Sequence, residues 1–266
     1  GDPAPPVQTP PGVPPSAIAI AAAEPPQRQQ IVIYTMDEGD ELFERFGHAA
    51  ICVVPEFQPA RELCYNFGTT HFDDPLKLGW DFLRGQARFY VSMAPGDAMV
   101  AAYVSFDRTV WRQRIALPSD AANELARTLD AIAHDPARRS YVYHHFFDNC
   151  STRLRDLLNT AYGGRLASRP GMQEPTAATY RELGRYGIRD GSFANTALLF
   201  VSDLMVGRAL DRPPSGYEAM FLPHVLRARL AEMGAKPELL YTRHGPPLHR
   251  GQTSGRLGYA VLAGML

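Results

Sequence analysis

The chain has 266 residues, 45% of them hydrophobic, and its 27 basic and 28 acidic side chains leave a formal net charge of −1. This length and apolar content allow a full hydrophobic core, either in one large domain or in one domain with a helical annex. The arginines are spread beside acidic residues and form no basic stripe, which excludes the charge pattern of a nucleic-acid-binding protein. We expect a monomer without a nucleic-acid partner.

The two ends of the chain differ from the rest in composition. Residues 1–29 are rich in proline and alanine and carry almost no charge, which predicts a linker. They contain no basic segment followed by an apolar core, so we expect no signal peptide in this chain. Residues 16–23 are apolar but far shorter than the roughly 20 residues that span a bilayer. Residues 257–266 are apolar to the last position, which predicts either an ordinary terminal element or the approach to a transmembrane helix.

Between these ends the hydrophobic patterns predict an α+β fold. Apolar and β-branched runs predict strands at 30–36, 47–54, 62–67, 87–92 and 109–117. Capping residues and three-and-four spacing predict helices at 75–84, 95–107, 119–134 and from residue 150 onward. We therefore expect a small antiparallel sheet packed by helices.

The pattern changes after the glycine pair at 163–164. Segments 176–186, 192–210 and 216–233 have helical spacing and little strand signal, and the apolar stretch 195–206 is expected to be a buried helix. The sequence thus predicts three regions after the linker. They are a catalytic core at 30–163, a helical annex of the same domain at 164–236 and a C-terminal tail at 237–266.

A cysteine at the start of a predicted helix is the strongest chemical signal in the chain. Cys150 follows Asp148 and Asn149 and precedes Ser151, all of which are helix-capping residue types, and leucines follow at helical spacing. Unpaired backbone N–H groups and the positive end of a helix dipole favour the thiolate, so we expect a pKa below the usual value of about 8.5. The pattern indicates a nucleophile. The alternative is a structural cysteine packed within the helix.

An imidazole base for this thiol is predicted at His48. It follows Gly47 and opens a run of small, apolar and β-branched residues that is typical of a strand. Cysteine hydrolases and acyltransferases also use a third group that fixes the tautomer of the imidazole. Asn66 is our candidate, because it lies on the predicted partner strand and its side chain can face His48 across the hairpin. His71 is the second choice.

Further residues near the thiol are candidates for oxyanion stabilisation or substrate binding. The backbone N–H of Cys150, together with Asn149, is expected to stabilise a tetrahedral oxyanion, and Ser151 lies beside them. Arg153 shares a helical face with the thiol. It either assists the oxyanion or a lipid phosphate, or forms an ion pair that holds the helix. Arg45, shortly before the predicted base, has the same two interpretations.

The other two cysteines lie on the predicted hairpin. Cys52 and Cys64 can face each other and form a disulfide. The alternative of two buried free thiols is slightly favoured, since a register error of one residue would put the two side chains on opposite faces of the sheet. Either arrangement leaves Cys150 unpaired.

No metal and no cofactor are expected. His144 and His145 are adjacent on an extended segment, so their side chains point in opposite directions, and none of the usual spacings of zinc ligands occurs. One of these histidines is expected to pack near the helix of Cys150. The glycines form no phosphate-binding loop and no Gly-x-Ser-x-Gly motif is present, so neither a nucleotide cofactor nor serine-based chemistry is indicated.

Four motifs, in this order, are similar to those of one known family. They are Phe-Gly-His-Ala-Ala at 46–50, Tyr-Asn-Phe-Gly at 65–68, Phe-Asp-Asn-Cys-Ser-Thr-Arg-Leu-Arg-Asp at 147–156 and Met-Phe-Leu-Pro at 220–223. The chain resembles the Lnb N-terminal periplasmic domain from about residue 30 to residue 235. Its Asn-Cys pair also resembles that of the lecithin:retinol acyltransferase group. The order histidine, polar residue, cysteine is the reverse of papain. It resembles circularly permuted papain-like folds, as in that group and in the NlpC/P60 peptidases.

The resemblance implies acyl transfer in the maturation of bacterial lipoproteins, in the periplasm or at the outer face of the inner membrane. Cys150 would attack an ester of a glycerolipid or of the lipoprotein's own diacylglyceryl group, while His48 transfers the proton and Asn66 orients the imidazole. The resulting thioester would pass its acyl group to the N-terminal amine of a lipoprotein. The implied partners are the lipoprotein, phospholipid acyl groups and a membrane surface.

Two other functions stay open at this point. A cysteine peptidase or amidase of cell-wall peptides would use the same residues on amide bonds. It would need a polar, open groove, whereas an acyltransferase needs an apolar one. The third interpretation is a non-catalytic periplasmic binding module with this fold. A deeply buried Cys150, or one more than about 5 Å from any imidazole, would favour that module, because proton transfer requires hydrogen-bond reach.

Overall fold

The computed structural model describes residues 28–40, 44–70, 74–188, 207–246 and 248. The apolar stretch at 16–23, the predicted helix at 195–206, the apolar end at 257–266 and His71 lie outside the described residues. The described part forms an antiparallel sheet with helices on both faces. The predicted α+β class with an antiparallel sheet is therefore confirmed.

Seven strands form the sheet, in the spatial order β6-β4-β3-β2-β1-β5-β7, and every neighbouring pair is antiparallel. The strands are β1 (Gln29–Met36), β2 (His48–Pro55), β3 (Leu63–Thr69), β4 (Arg88–Pro95), β5 (Val110–Ile115), β6 (Ser140–Val142) and β7 (Pro237–Tyr241). The α-helices within the described residues are α1 (Pro75–Leu83), α2 (Gly96–Ser105), α3 (Ser119–His134), α4 (Pro136–Arg139), α5 (Cys150–Ala161), α6 (Tyr180–Ile188) and α7 (Pro223–Glu232).

The central strand β1 shows why helices cover both faces of the sheet. All but its first two residues are buried, so both faces of the strand are packed. Ile31 and Ile33 belong to a core cluster with residues of α3, α5 and α7, whereas Val32 and Tyr34 belong to a second cluster with Met99 of α2. Successive side chains of a strand point in opposite directions, so α5 and its neighbours cover one face and α2 covers the other.

Local patterns account for most of these elements. α3 has the predicted bounds, and its buried residues Ala122, Leu125, Leu129 and Ile132 recur at helical spacing. The sequence does not predict β6 or β7. β6 has three residues, and four of the five residues of β7 are exposed, so neither strand has an alternating pattern. Because β7 pairs with β5, the predicted tail at 237–266 begins with an edge strand of the sheet.

The segment predicted as a helical annex packs on the same core as the sheet. Its described part contains α6, α7 and short 3₁₀ helices at Arg208–Asp211 and Glu218–Phe221. Leu226 and Leu230 are buried in the cluster that also holds residues of α5. The predicted helix at 216–233 is interrupted, because Pro223 keeps Leu222 extended and then begins α7. The circularly permuted papain-like arrangement stays a prediction.

Cys52 and Cys64 lie directly opposite each other in the β2–β3 pair and form a disulfide. The slightly favoured expectation of two free thiols is wrong, because residues opposite each other in an antiparallel pair present their side chains on the same face. Cys150 is the free cysteine. A disulfide is typical of proteins that fold in an oxidising compartment.

Candidate active site

The cap of α5 positions the thiol of Cys150. Oδ1 of Asn149 accepts a hydrogen bond from the backbone N–H of Thr152 at 2.9 Å, and Oγ1 of Thr152 accepts one from the backbone N–H of Asn149 at 2.8 Å. Nδ2 of Asn149 donates to the backbone carbonyl of Phe221 at 2.9 Å, which joins the start of α5 to the segment before α7. Cys150 is therefore the first residue of a helix whose start is held by reciprocal and long-range bonds.

His48 and Asn66 meet across the hairpin of β2 and β3. Nε2 of His48 lies 3.3 Å from Oδ1 of Asn66. An amide oxygen only accepts hydrogen bonds, so Nε2 carries the proton of the neutral ring and Nδ1 keeps its lone pair. The ring stacks on Tyr103 of α2, with centroids 5.9 Å apart. Asn66 and Tyr103 thus hold an imidazole whose Nδ1 is in the basic form.

A cavity of about 460 Å³ brings His48, Asn66 and Cys150 together. Ala49 and Cys150 belong to the core cluster on the α5 side, whereas the ring of His48 packs toward α2 on the other face. The paired residues of β2 and β3 run from Ile51 with Tyr65 to Val53 with Leu63. His48 therefore lies in β2 before the first of these pairs. The cavity therefore lies where the two strands separate, and the thiol and the imidazole reach it from opposite faces of the sheet.

Gly68 allows β3 to pass close to the thiol. Its φ is +89°, in the left-handed region that glycine adopts without strain. A bulge interrupts the pairing of β3 with β4 between Asn66 and Thr69, on either side of this glycine. A methyl group at Gly68 would lie 3.7 Å from Cβ of Cys150. The strand backbone is thus the neighbour of the thiol at this point.

Most of the remaining cavity wall is apolar or aromatic. The contributing side chains come from α2 and the residue after it, from β4 and from the segment before α5. They are Phe89, Ala94, Ala98, Met99, Ala102, Tyr103, Phe106 and Tyr143. The polar residues of the wall, besides the three already described, are Glu44, Thr69, Thr70, Ser92 and Arg108. Thr69 and Ser92 share a hydrogen bond of 2.7 Å, so each already has a partner.

Burial raises the pKa of the Cys150 thiol, which is the opposite of the predicted direction. The side chain is 8% exposed, and an anion in such surroundings loses its hydration. The backbone N–H groups of Ala49 and Ser151 and the charge of Arg108 favour the thiolate, but burial outweighs them. The helix start does supply the expected N–H groups. The sequence did not show how deeply the sulfur would be buried.

Burial also lowers the pKa of His48, to about 4, and the positive charge of Arg108 acts in the same direction. The unliganded site therefore holds a neutral thiol and a neutral imidazole near pH 7. Among the described residues, the side-chain hydrogen-bond partner of the His48 ring is Asn66, and the side-chain partner of the Cys150 sulfur is Oγ of Ser151 at 4.0 Å. No direct hydrogen bond joins sulfur and imidazole in this part of the chain.

Arg108 is a buried cation in the cavity wall that sequence reasoning missed. Its Nε and Nη2 donate to the backbone carbonyl of Asp37 at 3.0 and 2.9 Å, and Nη1 lies 3.7 Å from Oε1 of Glu44. The guanidinium also lies over the ring of Tyr103, 5.0 Å from its centroid. Arg108 thereby links the turn after β1 to the aromatic ring that supports His48. A single arginine between a helix and a strand has no sequence signal that would have revealed this.

Asn149 and Ser151 have structural contacts at the start of α5. The backbone N–H of Asn149 is engaged by Thr152, and its amide donates to the carbonyls of His145 and Phe221. The backbone N–H and the side-chain amide of Asn149 are therefore both engaged, and neither group is available to an oxyanion. Ser151 is fully buried next to the thiol.

The two predicted arginines are not part of the described cavity wall. Nε and Nη2 of Arg153 donate to the two carboxylate oxygens of Asp148 at 2.6 and 2.8 Å, and the guanidinium lies 3.6 Å from the ring centroid of Tyr141. These contacts correspond to the ion pair that was one interpretation of Arg153. Arg45 lies in the turn before β2.

The histidines before α5 pack rather than converge on a common point. His145 is enclosed by Phe46, Phe146 and Phe221, whereas Nδ1 of His144 accepts from the backbone N–H groups of the next turn. Within the described residues, one group of three close metal-ligand types occurs, formed by the two disulfide cysteines and Glu62. Both of its sulfurs are in the disulfide, so they are not thiolate ligands.

A thiol, an imidazole and a carboxamide around one cavity are the residue types of cysteine-dependent acyl-group chemistry, here in an α+β protein. The chain belongs to the Lnb N-terminal periplasmic domain family, whose model matches residues 19–186, more than half of the chain. This range includes Cys150, His48 and Asn66 and begins within the predicted linker. Comparisons with curated proteins and with solved structures found no match. Among the described residues, no helix is both long enough and apolar enough to cross a membrane.

Proposed function

We propose that this protein is a thiol-dependent acyltransferase that acts on bacterial lipoproteins through an acyl-thioester on Cys150. The observation that carries the proposal is the placement of Cys150, His48 and Asn66 around one largely apolar cavity in a member of a periplasmic family. The acyl donor is a glycerolipid ester or the lipoprotein's own diacylglyceryl group. The acceptor is the N-terminal amine of the lipoprotein.

The reaction has two halves. In the first, the sulfur of Cys150 attacks the ester carbonyl while Nδ1 of His48 takes the thiol proton. The tetrahedral oxyanion accepts a hydrogen bond from the backbone N–H of Cys150 and then expels the glyceryl oxygen, which receives the proton from His48. In the second half, the acceptor amine attacks the thioester carbonyl and gives a proton to His48. Cys150 leaves as the thiolate and recovers that proton, and the product is an amide.

The shifted pKa values determine when the proton moves. Both Cys150 and His48 are neutral in the unliganded site, because burial disfavours the thiolate and the imidazolium. The proton is therefore transferred as the sulfur attacks, rather than from a pre-formed ion pair. For this step the sulfur of Cys150 and Nδ1 of His48 must approach each other in the cavity where β2 and β3 separate. Catalytic groups commonly move closer in this way when substrate binds.

The apolar wall favours an acyl chain over a peptide. Ala98, Met99 and Ala102 of α2 offer the cavity no hydrogen-bonding side chains, and Phe106 continues this wall. Phe106 is 60% exposed, so the apolar surface extends from the thiol to the outside of the protein. A fatty-acyl chain gains free energy from such a wall, whereas a cell-wall peptide would need polar partners there. This route to the surface is where a membrane-borne donor would enter.

A second candidate function is a non-catalytic module that binds an apolar ligand in the same cavity. The small exposed fraction of Cys150 and its raised pKa support this alternative, since both describe a cysteine that reacts slowly. The two candidates differ in one product. The acyltransferase forms a covalent thioester, and the binding module does not.

The test is the intact mass of the protein after incubation with phospholipid or with a diacylated lipopeptide, before and after neutral hydroxylamine. Wild type should gain one fatty-acyl mass that hydroxylamine removes. Cys150→Ala should gain none, and His48→Ala should gain it at least about 100-fold more slowly, because the proton then has no base. His134→Ala, on the exposed side of α3, is the matched control and should react like wild type.

Two results separate the candidates. An adduct that requires Cys150, followed by its transfer to the amine of the lipopeptide, supports the acyltransferase. If wild type binds either lipid tightly without any adduct, the acyltransferase proposal fails and the binding module replaces it.

A further inference from the structure

Two charged side chains interrupt the largely apolar wall of the cavity. Among the described wall residues, Glu44 is the acidic side chain, and Arg108 is the basic one besides His48. Oε1 of Glu44 lies 3.7 Å from Nη1 of Arg108, which is longer than a hydrogen bond. A charge beside an apolar cavity loses hydration and needs compensation from a protein group or a ligand. The pair therefore marks a place in the cavity that suits a charged part of a substrate.

The accessible member of this pair is the carboxylate. The side chain of Arg108 is 4% exposed, whereas that of Glu44 is 27% exposed. Nε and Nη2 of Arg108 donate to the carbonyl of Asp37, and the guanidinium covers the ring of Tyr103. Within the described residues, the polar contact of the Glu44 carboxylate is the long one to Arg108, so its lone pairs are open to a ligand. A ligand thus meets a negative charge, which favours an ammonium group over a phosphate.

The turn before β2 fixes Glu44 close to the base. The backbone carbonyl of Glu44 accepts hydrogen bonds from the N–H groups of Gly39 at 3.1 Å and Gly47 at 2.9 Å. A methyl group at Gly39 would overlap the carboxylate, so this glycine leaves the space that the side chain of Glu44 occupies. His48 directly follows Gly47 and lines the same cavity. A group bound to Glu44 therefore lies close to the turn that carries His48.

The charge of Glu44 also reaches the surroundings of the thiol. Burial raises the pKa of Tyr103, and the charges of Cys150 and Glu44 act in the same direction. Both groups are thus near one phenol, whose ring stacks on His48. The N-terminal amine of the acceptor has an ordinary pKa of about 7.7 to 8.0, so near pH 7 most of it is ammonium. Cys150, His48 and Asn66 act on the acyl group and leave this amine without a binding partner.

We propose that Glu44 binds the ammonium group of the amine acceptor in the cavity. The assignment rests on the proposed acyl transfer. The bound ammonium ion loses one proton to water and attacks the thioester as the neutral amine, while a remaining N–H stays hydrogen-bonded to Glu44. His48 takes the second proton and returns it to the sulfur of Cys150 as the amide forms. Glu44 keeps its charge throughout.

The test separates the two half-reactions in Glu44→Gln. A short-chain p-nitrophenyl ester, which has no ammonium group, first acylates Cys150, and S-methylcysteinyl-serinamide then consumes the thioester. We expect the peptide concentration for half-maximal consumption to rise about tenfold, because a neutral amide replaces a charge-assisted hydrogen bond. The acylation rate and the maximal rate of consumption should stay within about twofold of wild type, since Glu44 holds the amine without reacting.

Three controls make this result specific. Glu44→Asp keeps the charge on a shorter side chain and should raise the half-maximal concentration less than Glu44→Gln does. Glu56→Gln removes an exposed acid outside the described cavity wall and should behave like wild type. Hydroxylamine, which is uncharged near neutral pH, should cleave the thioester at the same rate in every variant. Thermal midpoints check that each variant is folded.

The ethanolamine head group of a phospholipid donor is another source of an ammonium group. Vesicles of phosphatidylethanolamine and of phosphatidylglycerol with the same acyl chains distinguish this donor from the acceptor. We expect Glu44→Gln to be acylated by both lipids as wild type is. If the variant loses acylation by phosphatidylethanolamine alone and keeps the peptide dependence of wild type, Glu44 binds the donor, and its assignment to the acceptor is wrong.

The remaining outcomes separate this assignment from the acyl transfer itself. An unchanged peptide dependence and unchanged acylation by both lipids would overturn the role of Glu44 and leave the thioester proposal standing. Equal losses with ester, peptide and hydroxylamine would show that Glu44 only maintains the shape of the site, which also overturns the assignment. If wild type forms no thioester with any donor, the proposed acyl transfer fails, and the assignment of Glu44 fails with it.

Discussion

The thiol of Cys150 and the imidazole of His48 reach the cavity from two regions that are held in different ways. Cys150 is positioned by contacts within a few residues, because Asn149 and Thr152 form the cap at the start of its own helix. His48 and Asn66 lie on different strands and depend on the pairing of β2 with β3 and on the disulfide within that pair. A local cap forms with its helix, whereas a hairpin requires the chain to close on itself. Changes in the hairpin should therefore displace the base while the thiol stays in place.

Removing the disulfide should have the largest effect and should act on the base. In the double variant Cys52→Ala/Cys64→Ala, we expect the free energy of unfolding to fall by about 3 kcal/mol, because the cross-link no longer limits the unfolded chain. Acylation of Cys150 by an ester should fall further than its alkylation, since only acylation needs His48 and Asn66 in register. Urea unfolding and the two rates measure this.

The control for the disulfide is a pair of substitutions on the same strands without the cross-link. Val53→Ala and Leu63→Ala lie at the next register position, so they remove packing but keep the disulfide. A double variant of these two residues should lose stability without a selective loss of acylation. If it also loses acylation selectively, the disulfide has no special role in placing the base.

Breaking the cap of α5 should have the next largest effect and should act on the thiol. Asn149→Ala removes the acceptor for the N–H of Thr152 and leaves the carbonyl of Phe221 without its donor. We expect a loss of about 2 kcal/mol in urea unfolding, from a lost cap plus an unpaired buried group. Asn149→Ser retains a capping oxygen and should lose about half as much. Equal losses in both variants would show that the bond to Phe221, rather than the cap, holds the helix start.

The reactivity of the thiol with pH distinguishes burial from the helix dipole. Burial raises the pKa of Cys150, so little thiolate is present at pH 7. The rate of alkylation by iodoacetamide should therefore keep rising to above pH 9 in wild type. A thiol activated by the helix start alone would reach a constant rate by about pH 7 to 8. Such an early plateau would contradict the burial that the structure shows.

The smallest expected effect concerns the base. His48 must be neutral to accept a proton, and its pKa is lowered to about 4, so acylation should persist as pH falls below the usual histidine value and should be lost only near pH 4. In Arg108→Gln, one cause of the lowered pKa is removed. The acidic limit, the pH below which acylation is lost, should then rise only part of the way toward the usual histidine pKa of about 6.5, because burial is the larger cause of the lowered pKa.

Arg114→Gln is the matched control for Arg108. Arg114 lies on β5, the strand that follows Arg108, and it is exposed and outside the described cavity wall. Its replacement should leave the acidic limit of the pH profile unchanged. An equal shift in both variants would mean that overall charge, rather than the buried guanidinium, sets the pKa of His48.

Local sequence patterns predicted the elements that carry the site. The three-and-four spacing of α3 and the capping residues of α5 involve residues that are close in the chain, so the linear sequence shows them. The β-branched run after His48 predicted β2 for the same reason. β7 was not predicted, because four of its five residues are exposed and its pairing with β5 comes from more than a hundred residues away in the chain.

The sequence by itself determined the α+β class and the helix that begins at Cys150, and it proposed as site residues the three that line one cavity in the structure. Tertiary structure decided the rest. It showed the disulfide, since pairing depends on register, and it brought Arg108 and Tyr143 to the cavity from distant elements. It also reversed the expected direction of the Cys150 pKa. The helix start acts through neighbouring backbone groups that a sequence reveals, whereas burial depends on every element that packs around the sulfur.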